Sequence, residues 1–169
     1  MQIVERHFYN KSGNDEAYFV RLFGAARRFH KHGHALDTQA ELVNTVSGAF
    51  WEFMNKCRRD SFLTDTEARR LFWQRICKVR VARMQDPGSN EMLDIGGFIV
   101  LHGELKALWC GMPGNGPALI RYAVSLGATK LSCFDGYLVG LYSQFGFKVV
   151  RREPNWVQGG PDLCYMELR

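Results

Sequence analysis

The chain has 169 residues, a formal net charge of +5 and a hydrophobic content of 46%. This size and composition suit a single globular domain spanning residues 1–169. No apolar run approaches the roughly 18 residues that a membrane-spanning helix needs, and no basic-then-apolar leader opens the sequence, so we expect no membrane partner. The five cysteines are odd in number and widely spaced, as is typical of reduced thiols. We therefore expect a soluble, cytoplasmic protein.

Residues 1–90 predict a mainly helical region. Weak alternation over residues 2–8 indicates an opening strand. Three amphipathic segments follow at 18–29, 42–57 and 68–79, each with apolar residues at helical spacing on one face. These segments predict three helices that each bury one side.

Two of these helices carry a capping box, in which a Thr precedes a Glu by three residues. The pairs are Thr38 with Glu41 and Thr64 with Glu67, and they fix where the second and third helices begin. The third helix gives way to a predicted strand and then to a Pro-Gly turn, at Lys78–Met84 and Asp86–Asn90 respectively.

All of the excess positive charge lies in this first region. It holds 15 of the 22 Lys and Arg residues and 10 of the 17 Asp and Glu residues, whereas residues 91–169 are balanced. The arginines concerned are Arg27, Arg28, Arg58, Arg59, Arg69, Arg70, Arg75, Arg80 and Arg83. They suit a surface for nucleic acid or an acidic protein, but solvated outer helix faces explain them more simply. Both interpretations stay open.

Three histidines crowd together at His30, His32 and His34. Gly33 interrupts the helix that would align them, and no cysteine or carboxylate follows at the spacing of a metal site. Cationic residues are also favoured at a helix end by the helix dipole. We therefore predict no metal.

Residues 98–127 read as a hairpin followed by a glycine-rich turn and a helix. The strands Phe98–His102 and Leu105–Cys110 flank the two-residue turn Gly103–Glu104. After the second strand, Gly114-Asn115-Gly116 frees the backbone of side chains, and Pro117 suits the first position of a helix running to Leu126. The free N–H groups of such a helix start attract anions, although an ordinary tight turn has the same sequence.

The remaining residues complete an alternating α/β pattern. Lys130–Phe134 predicts a short buried strand, after which Asp135 can cap a helix that runs to Phe145. Lys148–Arg152 and Leu163–Leu168 alternate as strands, and a turn-rich connection separates them.

This part of the chain resembles the GNAT superfamily of N-acetyltransferases. The family's pyrophosphate signature is Gln or Arg, two residues, Gly, one residue, then Gly or Ala; here the aligned run is Gly111-Met112-Pro113-Gly114-Asn115-Gly116. Gly114 and Gly116 match, whereas Gly111 stands where the family usually has a cation or an amide. The run Leu141-Tyr142-Ser143-Gln144-Phe145-Gly146-Phe147 is similar to the family's LYxxxGF helix ending.

The resemblance covers residues 95–169 and implies a mixed α/β GNAT-like acyl-CoA N-acyltransferase fold. Residues 91–169 would form the cofactor-binding core, and the helical residues 1–90, which are expanded relative to the family, would form the acceptor side. The implied cofactor is acetyl-CoA, whose pantetheine arm would lie between the splayed strands Leu105–Cys110 and Lys130–Phe134. The implied cofactor-binding residues are Leu108, Trp109, Cys110, Gly111, Gly114, Asn115, Gly116, Pro117, Ala118 and Tyr142.

The implied reaction is direct attack of a primary amine on the thioester. Tyr142 aligns with the tyrosine that commonly protonates the leaving thiolate, although a tyrosine packed in the core would look the same. Glu104 and His102 are the nearest candidates for the base, and the hairpin turn alone also explains their presence. The base therefore stays open between them and other carboxylates.

A second function class also fits the sequence. Gly111 and the unassigned base allow a GNAT-shaped binding or structural protein without catalysis. The segments Phe134–Tyr137 and Arg151–Trp156 are similar to GNAT-like proteins encoded by phages, which implies a virion or host-interaction role in the host cytoplasm as an alternative. The sequence does not identify the acceptor amine.

Overall fold

A computed structural model describes residues 1–6, 39–60 and 63–169 of the chain. The strands are β1 Gln2–Arg6, β2 Cys77–Gln85, β3 Met92–Leu101, β4 Glu104–Cys110, β5 Lys130–Phe134, β6 Phe147–Glu153 and β7 Leu163–Leu168. The helices are α1 Gln39–Asp60, α2 Asp65–Leu71, α3 Gly116–Ser125 and α4 Tyr137–Ser143, with a π-helical turn at Phe72–Ile76. The predictions for the helix at 18–29, the Thr38 capping box, Arg27, Arg28 and the histidines at 30–34 lie outside the described residues.

The seven strands form one mixed sheet in the order β1-β2-β3-β4-β5-β7-β6. Neighbouring strands are antiparallel except β4 and β5, which are parallel. The helix α3 connects these two parallel strands, as a parallel pair requires. The predicted mixed α/β fold class is confirmed.

Each face of the sheet has its own apolar core. On one face, α1 and the π-helical turn pack on β2, β3 and β4, and this core includes Phe50, Phe72 and Trp109. On the other face, α3 and α4 cover β4, β5 and β7, with Leu119 and Tyr142 fully buried. The sheet therefore separates a side covered by α3 and α4 from a side covered by α1.

The predicted third helix is shorter than the sequence indicated. Its capping box is confirmed, because the Thr64 N–H donates to Glu67 at 2.8 Å and the Glu67 N–H donates to Thr64 Oγ1 at 3.2 Å. The α-helix ends at Leu71, however, and Val79 lies in β2 and not on a helix. Cys77, Val79 and Val81 alternate on one buried face of β2, so a strand period overrides the helical one from Cys77 onwards.

The helix after β5 also begins later than predicted. Asp135 was expected to cap it, but α4 begins at Tyr137 with Gly136 as its N-cap. The Asp135 carboxylate instead accepts the Gly136 N–H at 2.9 Å and pairs with Arg152. Gly136 has a φ of +119°, which favours glycine, and this sharp corner is why two residues, Asp135 and Gly136, lie between the strand and the helix.

Two adjacent glycines bring β4 close to its neighbours. A Cβ on Gly96 would lie 2.9 Å from Leu119 Cδ1 and 3.0 Å from the Trp109 carbonyl oxygen. A Cβ on Gly97 would lie 2.9 Å from the Arg80 carbonyl oxygen. These contacts leave no room for side chains, so the two glycines of β3 allow β2, β4 and α3 to pack tightly against that strand.

Candidate functional site

The strands β4 and β5 form a cleft because they pair over only two residues. Glu104 lies opposite Lys130 and Leu105 lies opposite Leu131, and no further pairs join these strands within the described residues. Beyond Leu105, the edge of β4 that faces β5 leaves its backbone hydrogen-bonding groups without a strand partner. A strand edge of this kind can accept another extended chain. The splayed arrangement predicted for these strands is present.

A β-bulge in β4 causes the strands to diverge. Lys106 lies opposite Ile99 and Trp109 lies opposite Gly97, so Ala107 and Leu108 together face Phe98. Ala107 has a φ of +50°, in the left-handed region that residues other than glycine seldom adopt. A bulge increases the local twist and bends its strand, and here the bend follows directly after the last pair with β5.

The bulge also decides where the side chains of β4 point. Leu105 and Leu108 both pack in the core beneath α3 and α4, although three positions separate them. Ala107 and Trp109 pack in the core beneath α1. Leu108 and Trp109 are both buried, so they can offer a ligand in the cleft only their backbone groups.

The glycine-rich turn lies at the open end of the cleft. The Gly111 N–H donates to the Ile95 carbonyl at 2.7 Å, which extends the pairing of β4 with β3 up to the turn. Cys110 is half-buried, and its thiol donates to the Met112 carbonyl at 2.9 Å. Because parallel strands end at the same edge of a sheet, the carboxyl end of β5 lies on the other side of this opening.

Helix α3 begins within the predicted anion-binding turn. Pro117 lies in the first turn of the helix, and the first helical bond runs from the Leu119 N–H to the Asn115 carbonyl at 3.2 Å. The preceding N–H groups, including those of Gly116 and Ala118, have no acceptor within a helix, and the positive end of the helix dipole lies with them. Gly114 has a φ of +86°, and a Cβ at Gly114 or Gly116 would meet open space. The turn is therefore open to a ligand.

Tyr142 lies on α4, behind the β5 wall of the cleft. Its side chain is 1% exposed, and its ring packs edge-on against Phe147 at a centroid distance of 6.1 Å. Burial, and secondarily the neighbouring Cys133 thiol of β5, raises the pKa of Tyr142 well above its usual value. The phenol is therefore neutral over the physiological pH range.

Glu104 lies at the closed end of the cleft, at the opposite end of β4 from the glycine turn. A seven-residue strand is about 20 Å long, so Glu104 and the turn do not contact one ligand group together. Its carboxylate pairs with Lys106 Nζ at 3.1 Å and lines a cavity of about 280 Å³. Lys130, Arg151 and Tyr165 also line this cavity. Glu104 thus lies at the closed end of the cleft and not at the end with the glycine-rich turn.

His102 lies away from the cleft. It occupies the β3–β4 turn with a φ of +49°, and its N–H donates to the Ile76 carbonyl at 2.9 Å. With Phe53 and Cys57 of α1 it lines a separate cavity of about 520 Å³. Between the two candidates for the base, Glu104 is therefore nearer to the vertex where β4 and β5 meet.

The structure brings nearly all of the predicted cofactor-binding residues into one continuous segment along the open cleft. These are Leu108, Trp109 and Cys110 in β4, Gly111 at its end, Gly114 and Asn115 in the turn, and Gly116, Pro117 and Ala118 in the first turn of α3. Tyr142 lies apart from them behind β5. Their binding role stays a prediction.

The bulge at Ala107 is the feature that the sequence did not reveal. Alanine gives no sign of a left-handed backbone, and the predicted strand Leu105–Cys110 contains no glycine or proline to mark an irregularity. The observable hint was the spacing of its apolar residues. Leu105, Ala107, Leu108 and Trp109 fit no strict alternation, as expected where a bulge shifts the faces.

Several arginines of the predicted basic surface are ion-paired. Arg58 pairs with Asp65 at 2.8 Å, and Arg83 pairs with Asp94 at 2.9 Å. Arg80 pairs with Glu5 at 3.4 Å. These three lie on α1 and β2, and their carboxylate partners reduce the charge that they present to a ligand.

Across the described parts of the chain, no His, Cys, Asp or Glu side chains group as metal ligands. No helix among those residues is long and apolar enough to cross a membrane.

Comparison with solved structures finds acetyltransferases. The chain is similar to an aminoglycoside 6'-acetyltransferase type Ii, with 17% identity, 98% of this chain and 95% of that chain covered, and a TM-score of 0.49. An aminoglycoside 6'-N-acetyltransferase complexed with coenzyme A has 16% identity, coverage of 98% and 95%, and a TM-score of 0.48. An acetyltransferase from Bacillus cereus has 16% identity, coverage of 73% and 91%, and a TM-score of 0.43.

Neither a protein-family model nor a curated protein sequence matches the chain. Structural likenesses at these identities and TM-scores assign neither a family nor an activity to it.

Proposed function

We propose that the chain is an acyl-CoA-dependent N-acyltransferase that transfers an acetyl group from acetyl-CoA to a primary amine. The observation that carries the proposal is the cleft between β4 and β5, which pair over two residues and then diverge at the Ala107 bulge. Acetyl-CoA supplies the activated acyl group as a thioester. The residues of the cleft fit its two chemical parts, an extended amide-bearing arm and a pyrophosphate.

The wall of the cleft suits the extended arm. Backbone N–H and C=O groups along Lys106–Cys110 line the open edge of β4, and the buried side chains of Leu108 and Trp109 point to the two sheet faces and not into the cleft. An amide-bearing chain can therefore pair with this edge as an additional strand. Because side chains contribute little here, this part of the site would select a ligand by its extended shape and by its ability to pair with the backbone of β4.

The turn suits the pyrophosphate. The start of α3 presents free N–H groups together with the positive end of the helix dipole, and the open space at Gly114 and Gly116 lets an anion approach the backbone. Gly111 supplies no cationic side chain. The affinity for the pyrophosphate would therefore come from main-chain donors alone, which predicts weaker binding than a site that adds an arginine.

Tyr142 is the proposed acid. Attack of the amine nitrogen on the thioester carbonyl forms a C–N bond and breaks the C–S bond, and the departing thiolate takes up a proton. Tyr142 lies beside β5, and its phenol is neutral and carries a proton. Because a raised pKa makes the phenol a weaker acid, the proposed role rests on the position of Tyr142 behind the cleft wall and not on its pKa.

Glu104 is the proposed base. An alkylamine is protonated in water and must lose a proton before it attacks. Glu104 lies one residue from the vertex of the cleft, on the sheet face opposite α3 and α4, where the cavity of about 280 Å³ offers space for an acceptor. Its ion pair with Lys106 holds the carboxylate in place.

Release of the coenzyme A thiol tests the proposal. The protein is mixed with acetyl-CoA and, in separate reactions, with a diamine, an aminoglycoside, a lysine peptide and an aminoacyl-tRNA, and free thiol is followed over time. Amine-dependent thiol release at a rate above the uncatalysed reaction supports the proposal. Binding of acetyl-CoA without thiol release for any amine would instead support a GNAT-shaped binding protein, and absence of binding near millimolar acetyl-CoA would contradict both.

A further inference from the structure

Two cysteines face each other across the strands β5 and β7. Cys133 of β5 and Cys164 of β7 are direct partners in the antiparallel register. Side chains of directly opposed residues point to the same face of a sheet. Both side chains are fully buried, and both thiols are free.

The hydrogen bonds around this pair fix the distance between its backbones. The Asp135 N–H donates to the Asp162 carbonyl at 2.8 Å, and the Leu168 N–H donates to the Thr129 carbonyl at 2.8 Å. In an antiparallel ladder, hydrogen-bonded pairs recur every second residue, so Cys133 and Cys164 also form a hydrogen-bonded pair. The Cα atoms of such a pair are about 5.5 Å apart, which lies within the range that a disulfide spans.

The surroundings of the two sulfur atoms differ. Cys133 Sγ lies 3.8 Å from Met166 Sδ, and burial raises the pKa of Cys133 to about 12. Burial and the Asp135 and Asp162 carboxylates raise the pKa of Cys164, and the Arg152 guanidinium opposes this rise through its charge and a hydrogen bond to the sulfur. The thiolate is the reactive form of a cysteine, and of the two thiols only Cys164 has a cation beside it that favours this form.

None of the other cysteines has a cysteine opposite it. Cys57 and Cys77 lie in the core beneath α1, on the other face of the sheet. Cys110 lies at the end of β4, where its register partner is Gly96. Cys133 and Cys164 are thus the one pair of thiols that the strand register places within reach of each other.

We propose that Cys133 and Cys164 are a reversible dithiol–disulfide pair that is closed by a peroxide. In the first step the Cys164 sulfur attacks one peroxide oxygen, the O–O bond breaks, and a sulfenic acid and water form. In the second step the Cys133 sulfur attacks the sulfenic sulfur, an S–S bond forms, and a second water leaves. Sulfur is oxidised and peroxide is reduced, and a dithiol reductant reverses the reaction.

The crosslink would act on the wall of the cleft, because Cys133 belongs to β5. In a hydrogen-bonded pair the Cβ atoms lie at the wide end of the cross-strand range, about 5.5 Å apart, whereas a disulfide holds them about 4 Å apart, so β5 and β7 must approach each other by about 1.5 Å. Such a bond is easier to reduce than an unstrained one.

Mass spectrometry of the intact protein tests the pair. A Cys110→Ser variant, which removes the half-exposed thiol, is treated with hydrogen peroxide and then alkylated under denaturing conditions. We expect the loss of two hydrogen atoms, two fewer alkylated thiols, a Cys133–Cys164 crosslinked peptide, and recovery of both thiols with dithiothreitol. Addition of Cys164→Ala should abolish the crosslink, whereas addition of Cys57→Ala, the matched buried cysteine on the other face, should not.

Two results would overturn the proposal. One is that both thiols remain alkylatable after peroxide treatment, and the other is that they oxidise separately to sulfinic acids without a crosslinked peptide. The peptide map of the Cys110→Ser protein distinguishes the proposed crosslink from both of these results, even if the Cys164→Ala variant fails to fold. The measurement uses no acetyl-CoA, so its outcome is independent of the proposed transferase activity.

Discussion

At the scale of single residues, Tyr142 belongs both to the buried core and to the proposed reaction. It is one of the largest fully buried side chains, yet its burial also keeps the phenol protonated. Packing in the core needs only the aromatic ring of Tyr142, whereas proton donation needs its hydroxyl group.

Tyr142→Phe separates these two roles. Loss of an acid catalyst typically lowers turnover by about 10²-fold or more, whereas the retained ring should leave acetyl-CoA affinity within about twofold. Steady-state kinetics and calorimetric titration measure the two quantities. Tyr122→Phe is the matched control, since Tyr122 is exposed on α3 and its substitution should change neither turnover nor affinity. Unchanged turnover in Tyr142→Phe would remove this residue from the mechanism.

Glu104→Gln tests the proposed base with little change in shape. The substitution keeps the size of the side chain but removes its charge, so turnover should fall by at least about tenfold near neutral pH. Acetyl-CoA affinity should be unchanged, because Glu104 lies at the other end of β4 from the turn. Glu167→Gln, in the same cavity, is the control. Equal effects of the two substitutions would mean that only the charge of the cavity matters.

At the scale of elements, the bulge in β4 sets the shape of the cleft. The left-handed backbone of Ala107 costs about 1 kcal/mol relative to glycine, so Ala107→Gly should leave stability unchanged or raise it by up to about that amount. Urea unfolding measures the change. The same substitution at Ala123, inside α3, should lower stability by about 1 kcal/mol or more. A loss in Ala107→Gly as large as that in Ala123→Gly would contradict the strained bulge.

The sequence predicted the elements better than it predicted their irregularities. The strands Lys130–Phe134 and Leu163–Leu168 were predicted with the bounds that the structure gives them, because buried apolar alternation and flanking turn residues mark both ends. The bulge at Ala107 and the π-helical turn at Phe72–Ile76 were not predicted. Both depend on contacts with other strands and helices, which no local pattern records.

The candidate site was predicted in part for the same reason. The glycines of the turn carry their own signal, since only they leave the backbone open next to a helix start. The position of Glu104 relative to the turn depends on the length and direction of β4 in the sheet. Sequence spacing does not predict this distance, and the strand between Glu104 and the turn holds them about 20 Å apart.

At the scale of the whole molecule, buried thiols make the free energy of unfolding depend on pH in the alkaline range. Burial raises the pKa of Cys77 and of Cys133 from 9.0 to about 12. Between these values the unfolded chain loses protons that the folded chain keeps, so the free energy of unfolding should fall as pH rises from about 9 to 12. For each thiol the full effect is on the order of 4 kcal/mol.

Urea titrations at several pH values measure this dependence. Cys77→Ala should give a shallower decline above pH 9 than the unsubstituted protein, whatever its stability at pH 7. Val79→Ala, an apolar substitution in the same core that removes no titratable group, should leave the slope unchanged. Identical slopes in the Cys77→Ala and unsubstituted proteins would show that burial of this thiol does not control the alkaline limit.

The central claim is that the turn before α3 and the open edge of β4 bind acetyl-CoA. Calorimetric titration of the unsubstituted protein, Gly116→Val and Gly48→Val tests it most directly. A side chain at either glycine meets open space, so neither substitution clashes within the fold, but only Gly116 lies at the proposed pyrophosphate site. We predict measurable binding that Gly116→Val weakens at least about tenfold, or 1.4 kcal/mol, and that Gly48→Val leaves unchanged. Equal affinities in all three proteins would contradict the account.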